Sequence, residues 1–336
     1  MKLGIDAMGG DHAPTEIVNG AIEASKLLDC QLVLYGQQEK LLPMLEGTTI
    51  LVVDCREVIQ NDEMPVSVIR AKADSSMVRG LLDLKAGKID GFLSAGSTGA
   101  LLAGGLLRVG RIKGIERPAI TTAYPMNDRM GLLVDAGANA DCKPAHLRDF
   151  AVMSSIYVEK VYGTKNPKVG LVNIGEEPGK GNELVKSAFP LLQTAPINFA
   201  GSIEGRDIPA GKVDIVVTDG FTGNVILKLS EGLAKTMGSW LKDMFMKNSL
   251  TKLSSLFLKQ GLKDFKAKLD YTEYGGAALL GVNGVLVKAH GSSNAKAIKN
   301  GILYMEKYAA SGVIDEIKQA LSDMKTEEQH DRQDTE

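Results

Sequence analysis

Short apolar runs alternate with stretches of helical periodicity along most of the chain. The segments Lys2–Ala7, Gln31–Tyr35, Thr49–Asp54, Gly91–Ala95, Ala119–Tyr124, Gly131–Asp135, Lys168–Asn173, Pro196–Ala200, Val213–Thr218 and Val285–Lys288 read as strands. Between them, Ile17, Ala21, Ala24 and Leu28 share one face of a helix over Ile17–Leu28. Pro14-Thr15-Glu16 suits its first turn, where proline loses no needed donor and an acid meets the positive helix end. Asp141-Cys142-Lys143-Pro144 opens a second helix over His146–Val161 in the same way. Strands alternating with helices predict an α/β/α sandwich: a mostly parallel sheet covered on both faces. No repeat or proline-rich linker divides the chain, so a single domain is expected over residues 1–322. Residues 323–336 carry six acids and two bases with almost nothing apolar, which predicts a flexible acidic tail.

The alternation stops at residues 226–268. Ile226, Leu229, Leu233, Met237, Leu241 and Met244 recur three or four apart, with Trp240 and Phe245 beside them. Packing in a core or a dimer is the reading for Ile226–Phe245. Leu250–Leu262 mixes bulky apolar residues with Ser, Thr and Lys. Across Lys242–Lys268 seven lysines face two aspartates. Such a protruding amphipathic segment suits an anionic membrane surface, lysine stems burying while their ammonium groups stay near the lipid charge. A helix pair with solvated lysines is the competing reading.

Composition narrows the class. The net charge of −2 gives no general electrostatic footprint for nucleic acid. Cys30, Cys55 and Cys142 are too few and too scattered for a disulfide framework or a zinc knuckle. The longest uncharged stretch, Gly91 to Leu107, is short of a membrane span and rich in Gly and Ser. The opening residues lack the apolar region of an export signal, so a cytoplasmic location is expected. Glycine is the anomaly: 37 of 336 residues, about 11% against roughly 7% usual.

Those glycines gather at strand ends. The loops are Asp6–Pro14 (DAMGGDHAP), Ser94–Ala100 (SAGSTGA), Asn173–Gly181 (NIGEEPGKG) and Asp219–Val225 (DGFTGNV). Small residues let backbone amides approach an anion, and in a parallel sheet ligands lie beyond the carboxyl ends of the strands. Converging loops of this kind predict a phosphate or carboxylate ligand, although each alone reads equally as a tight turn. Neither nucleotide fingerprint is satisfied: the Gly175–Gly181 run has the wrong spacing for a Walker loop and no Ser or Thr after Lys180. His12, beside Asp11, and His290, in Lys288–Ser293, are candidates for acid–base or anion-holding work near neutral pH. Lys180 lies between two glycines and suits a phosphate. No serine elbow, metal-binding His motif or partnered cysteine is present, so neither metal nor cofactor is expected.

Taken together, Asp6–Pro14, Ser94–Ala100, Gly137–Asp141 (GANAD), Asn173–Glu177, Asp219–Val225, Tyr274–Ala277 and Lys288–Ser293 resemble the phosphate acyltransferase family of bacterial phospholipid synthesis, the PlsX family. The likeness runs over nearly the whole chain. It departs at Ser97, where the family commonly has Asn; a hydroxyl still serves an anion. The resemblance implies a Rossmann-like sandwich related to isocitrate and isopropylmalate dehydrogenases and to phosphotransacetylase. It implies reversible transfer of a long acyl group from acyl carrier protein to inorganic phosphate. The acyl phosphate then feeds a membrane glycerol-3-phosphate acyltransferase. A homodimer, peripherally attached to the inner face of the bacterial membrane, is implied too, and Leu250–Leu262 is the segment that fits such attachment.

For that chemistry the expected phosphate contacts are Gly9, Gly10, Asp11, Ser97, Thr98, Gly99, Asn173, Asp219 and Asn224, with His12, Lys180 and His290 as catalytic candidates. Direct displacement follows from the lack of an enzyme nucleophile. An acidic carrier protein needs a basic dock, for which Arg108, Arg111, Lys113 and Arg117 form one patch and Lys242–Lys268 another. The alternatives are a short-chain phosphotransacetylase using coenzyme A, a nicotinamide-dependent dehydrogenase of the related fold, and a non-catalytic lipid-surface scaffold.

Overall fold

Period-two alternation sorts the first strands between two cores. In β1 (Lys2–Asp6), Leu3 and Ile5 enter one core. Gly4 turns to the other face, where a Cβ would lie 3.0 Å from Tyr35 and 3.1 Å from Phe92. Those two rings pack edge to face, 5.8 Å between centroids. β2 (Gln31–Gly36) and β4 (Gly91–Ser94) flank β1 in parallel register and are buried on both faces, as parallel strands covered by helices must be. Leu93 joins the first core and Phe92 the second. Truncating either to Ala costs about 2–5 kcal/mol.

The remaining strands are β3 (Leu51–Asp54), β5 (Ala119–Pro125), β6 (Met130–Val134), β7 (Lys168–Val172), β8 (Asn198–Ile203), β9 (Ile215–Val217), β10 (Ala277–Leu280) and β11 (Val285–Lys288). Among the described residues one sheet of eleven strands results, in the order β3-β2-β1-β4-β11-β10-β5-β6-β9-β7-β8. Seven of its ten neighbour pairs are parallel; β11–β10, β10–β5 and β5–β6 are antiparallel. The chain is described over residues 1–177, 179–249, 251–252, 258, 260–263 and 275–333 of this computed structural model.

Helices cover both faces. Thr15–Ser25 and Ala295–Ala310 cross on one side so closely that a Cβ on Gly20 would lie 2.6 Å from Ile298. Ser76–Lys85, capped by the Ser75 hydroxyl accepting the Val78 amide at 3.3 Å, lies on the other and presses Gly80 onto Phe92. The helix Gly220–Met246 is different. Among its residues only Gly220 and Gly223 are fully buried, and Leu229, Leu233, Met237, Trp240 and Met244 stand exposed on its surface.

One expectation is corrected here, and three others gain detail. β10 was missed, because Ala-Ala-Leu-Leu is short and has neither β-branched residues nor alternation. The sheet is parallel in two blocks of opposite direction, because the four-residue connection from β5 to β6 makes a hairpin and reverses the strands beyond it. The Ile226–Phe245 stripe is uncovered in the single chain. Helix Val313–Gln333 runs on through most of the stretch read as a flexible tail, in a sequence rich in helix-forming Lys, Glu and Gln. Most of the Leu250–Leu262 segment lies outside the described residues, as does Tyr274.

Candidate active site

The loops after β1, β4 and β11 meet at one end of the first strand block. A Cβ on Gly9 would lie 2.5 Å from Asp6 Oδ2 and 2.7 Å from the Gly96 amide nitrogen, so only glycine allows the two loops to touch. Gly10, at φ +110°, packs on Ala95, and the Asp11 amide donates to the Gly291 carbonyl at 2.8 Å. Beneath them Asp6 is buried. Its carboxylate accepts the Ser94 hydroxyl at 2.7 Å and the Met8 amide at 3.2 Å. Burial pushes its pKa up, against the pull of these bonds.

From the other block comes the turn after β6. Asp135 is fully buried and accepts the amides of Ile120, Gly137, Ala138 and Asn139 at 2.7–3.2 Å, and the Asn139 side chain at 2.8 Å. This carboxylate folds residues 135–139 back along β5. The Asn139 carbonyl in turn accepts the Gly220 amide at 2.7 Å, which seats the start of helix Gly220–Met246. Asp219 caps that helix through the Thr222 amide and hydroxyl, both at 2.8 Å.

Between these two constructions lies a cavity of about 360 Å³. Its apolar wall includes Ile120, Ala123, Ala136, Leu227 and Ala277; its polar groups include Thr98, Asn224, Lys288, His290 and Ser293. Lys228 and Glu231 also line it and pair with each other at 2.8 Å. A volume in the usual range for ligand sites, mostly apolar with a few converging polar groups, is what a substrate pocket requires. His290 Nδ1 accepts the Ser292 amide at 3.2 Å and faces the Ser292 hydroxyl at 2.8 Å. Burial first, and then the charges of Lys228 and Lys288, push its pKa down. The neutral ring therefore carries its proton on Nε2.

Of the residues singled out in the sequence, Thr98, Asn224 and His290 line the cavity. Gly9, Gly10 and Asp11 build the loop contact beside it, and Ser97 caps the helix Thr98–Gly104 through the Ala100 amide at 3.4 Å. His12 lies outside, in a shallow depression with Ala13, Thr15, Glu16 and Asn294. Asn173 and Lys180 also fall outside the lining. Asn173 holds its own loop, donating to the Lys180 carbonyl at 3.2 Å and Ser202 at 3.3 Å. Lys288 was missed: it read as an ordinary lysine closing a strand. Burial pushes the Cys142 thiol up to about 11 and Cys55 up to about 12, so neither is a ready nucleophile.

The family model described as "Fatty acid synthesis protein" matches residues 1–316. A phosphate acyltransferase of Alkaliphilus oremlandii is 53% identical over 337 residues, covering 98% of this chain and 99% of that protein. The chain belongs to the phosphate acyltransferase family. A second member, from Clostridioides difficile, is 47% identical over 96% of both chains. The chain is thereby an acyltransferase. Among solved structures, a phosphotransacetylase from Streptococcus pyogenes superimposes with a TM-score of 0.60 at 17% identity, covering 94% of each chain. The phosphotransacetylase EutD from Staphylococcus aureus gives 0.60 at 15%, over 93% of this chain and 94% of that one. These two likenesses establish the fold.

Proposed function

We propose that the cavity between the two strand blocks is where this acyltransferase carries a long acyl group from acyl carrier protein to inorganic phosphate, supplying acyl phosphate for phospholipid synthesis. The observation that carries the reading is a cavity lined both by apolar residues and by the polar groups of Thr98, Asn224, His290 and Ser293. The thioester and the first carbons of its chain lie against Ile120, Ala123, Leu227 and Ala277, and phosphate against the polar side.

Hydrogen phosphate is already an oxygen nucleophile; holding it against the carbonyl supplies most of what the reaction needs. Its oxygen forms the new C–O bond, the C–S bond breaks, and the electron pair leaves with sulfur. The phosphate proton ends on the thiol. His290, neutral and protonated at Nε2, acts as a hydrogen-bond donor to the developing oxyanion rather than as a base. With the thiols of Cys30, Cys55 and Cys142 all pushed up by burial, transfer is direct and passes through no acyl-enzyme.

The carrier protein docks on the basic surface near Lys113 and Arg117, both exposed. Arg108 and Arg111 are engaged by the Ile69 and Glu116 carbonyls, each at 2.7 Å. Two chains associate through the helix Gly220–Met246, and residues 250–262 meet the membrane surface. Among the described residues no helix is long and apolar enough to cross a membrane.

The test is phosphate-dependent release of free carrier protein from palmitoyl acyl carrier protein, with palmitoyl phosphate identified by mass spectrometry. Equal release without phosphate would sink the reading. Preference for acetyl coenzyme A would favour a short-chain phosphotransacetylase.

A further inference from the structure

Lys288 closes β11 in the middle of the sheet, paired with Ser94 of β4 in parallel register and with Ala277 of β10 in antiparallel register. Strand pairing on both sides fixes its backbone, and its side chain lines the cavity. The ammonium group donates to the Ala95 carbonyl at 3.3 Å and to the carbonyl of Ala289. An ammonium group has three N–H donors, so one is left for a ligand in the cavity. No carboxylate among the described residues lies within ion-pair distance of it. Asp6 and Asp11 act on it only from further away. A partly buried cation without a contacting counter-ion is costly, and such groups gather where an anionic ligand supplies the missing charge.

Among the described residues the other basic side chains do not compete for this role. Lys228 is paired with Glu231, His290 is neutral, and His12 and Lys180 lie outside the cavity lining. A phosphate dianion resting against Thr98, Asn224 and Ser293 thus meets its positive charge at one point.

Resting on the acyl-transfer reading of this cavity, we propose that Lys288 is a catalytic residue that grips the attacking phosphate through its ammonium group. It remains protonated throughout the step. The phosphate proton goes to the departing sulfur, and Lys288 offsets charge on the phosphate oxygens while the C–O bond forms and the C–S bond breaks. Its bonds to the Ala95 and Ala289 carbonyls aim the third N–H.

The full-length wild type and Lys288→Ala are compared in three measurements: thermal unfolding, calorimetric binding of inorganic phosphate, and steady-state transfer from palmitoyl acyl carrier protein at varied phosphate. The expected result is an unfolding midpoint at or above wild type, since a desolvated charge has gone. Phosphate binding weakens at least tenfold, and kcat/KM for phosphate falls by about 10²–10³-fold, the scale for losing one charge-stabilising donor. Added propylamine restores part of the variant's activity saturably and leaves the wild type unchanged. Unaltered phosphate binding and kcat/KM in the variant would overturn the proposal. So would a loss that amine does not relieve and that accompanies a lowered midpoint, which marks a structural lysine. If wild-type protein binds phosphate yet shows no phosphate-dependent transfer, the acyl-transfer reading fails, whatever the variant does.

Discussion

The Ser94 hydroxyl donates to Asp6 Oδ2 at 2.7 Å and at the same time accepts the Gly96 amide at 3.1 Å, joining the ends of β1 and β4 beneath the cavity. Removing that hydroxyl leaves a buried carboxylate short of a donor. Ser94→Ala is expected to lower stability by about 1–3 kcal/mol, read as a lower urea midpoint at unchanged slope. Asp6 already has a raised pKa in the fold, and losing a donor to its charged form raises it further. The deficit is therefore fullest above the raised folded-state value, where the carboxylate is charged, and fades as pH falls through it. A deficit that does not change with pH would show that Ser94 acts through packing alone.

Gly9 tests the loop contact itself. A Cβ there would meet the Gly96 backbone at 2.7 Å, so Gly9→Ala must push the β1 and β4 loops apart by a fraction of an ångström or more. Misplacement on the order of 1 Å costs about 10²-fold in rate. Gly9→Ala is expected to retain a folded sheet by circular dichroism and to lose transfer activity on that scale. Wild-type kinetics in this variant would remove the loop from the site.

Much of this was legible in the sequence and some was not, for identifiable reasons. Ten strands followed from apolar runs, and the Gly9–Gly10 and His290 loops could be placed at strand ends by their glycines and polar tips. The Asn173–Gly181 loop has the same local chemistry yet lies away from the cavity, because pairing sets both strand direction and sheet order, and β7 lies beyond β9. The short Met126–Arg129 connection was a usable signal: it cannot carry a parallel crossover. Lys288 gave no local signal. A lysine after Val-Leu-Val reads as a solvated strand end, and only its placement between β4 and β10 puts it in the cavity wall.

Burial holds the Lys288 ammonium at about 8, with Asp6 and Asp11 opposing that fall. Facing the same space are Lys228 and Glu231 from the helix and the neutral His290 from its own loop. The protonated form predominates below that value, so kcat/KM for phosphate is expected to hold up to about pH 8 and then decline about tenfold per unit. Asp11→Asn withdraws a negative charge and moves the alkaline limb to lower pH. A wild-type profile flat to pH 10 would exclude titration of this group from the limiting step.

The exposed pair Lys113 and Arg117 makes a prediction about salt. Lys113→Glu combined with Arg117→Glu is expected to raise KM for the carrier-protein substrate about tenfold at low ionic strength. The effect should shrink above about 0.15 M salt as charges further apart than about 8 Å are screened. Arg108→Glu should act differently, lowering the unfolding midpoint, since Arg108 binds the Ile69 carbonyl. Salt-independent KM values in the double variant would move the dock elsewhere.

The helix Gly220–Met246 begins at the cavity and ends far from it, about 40 Å away at 1.5 Å per residue. Val225, Leu229, Leu233, Met237, Trp240 and Met244 follow one another at three- and four-residue steps, so they form one stripe along its length. Leu229 is 69% exposed and Trp240 64%, which makes this a long apolar surface to leave in water. A second copy would cover it economically, since a two-fold axis sets the same stripe against itself. Light scattering is expected to give twice the chain mass for the wild type and the single mass for Leu233→Asp with Met237→Asp. Glu231 and Leu227, on the same helix, line the cavity, so dissociation should also lower transfer activity. A monomeric wild type that binds anionic vesicles through Trp240, with a blue shift in its fluorescence, would assign the stripe to lipid instead. A variant that stays dimeric would place the interface on another face.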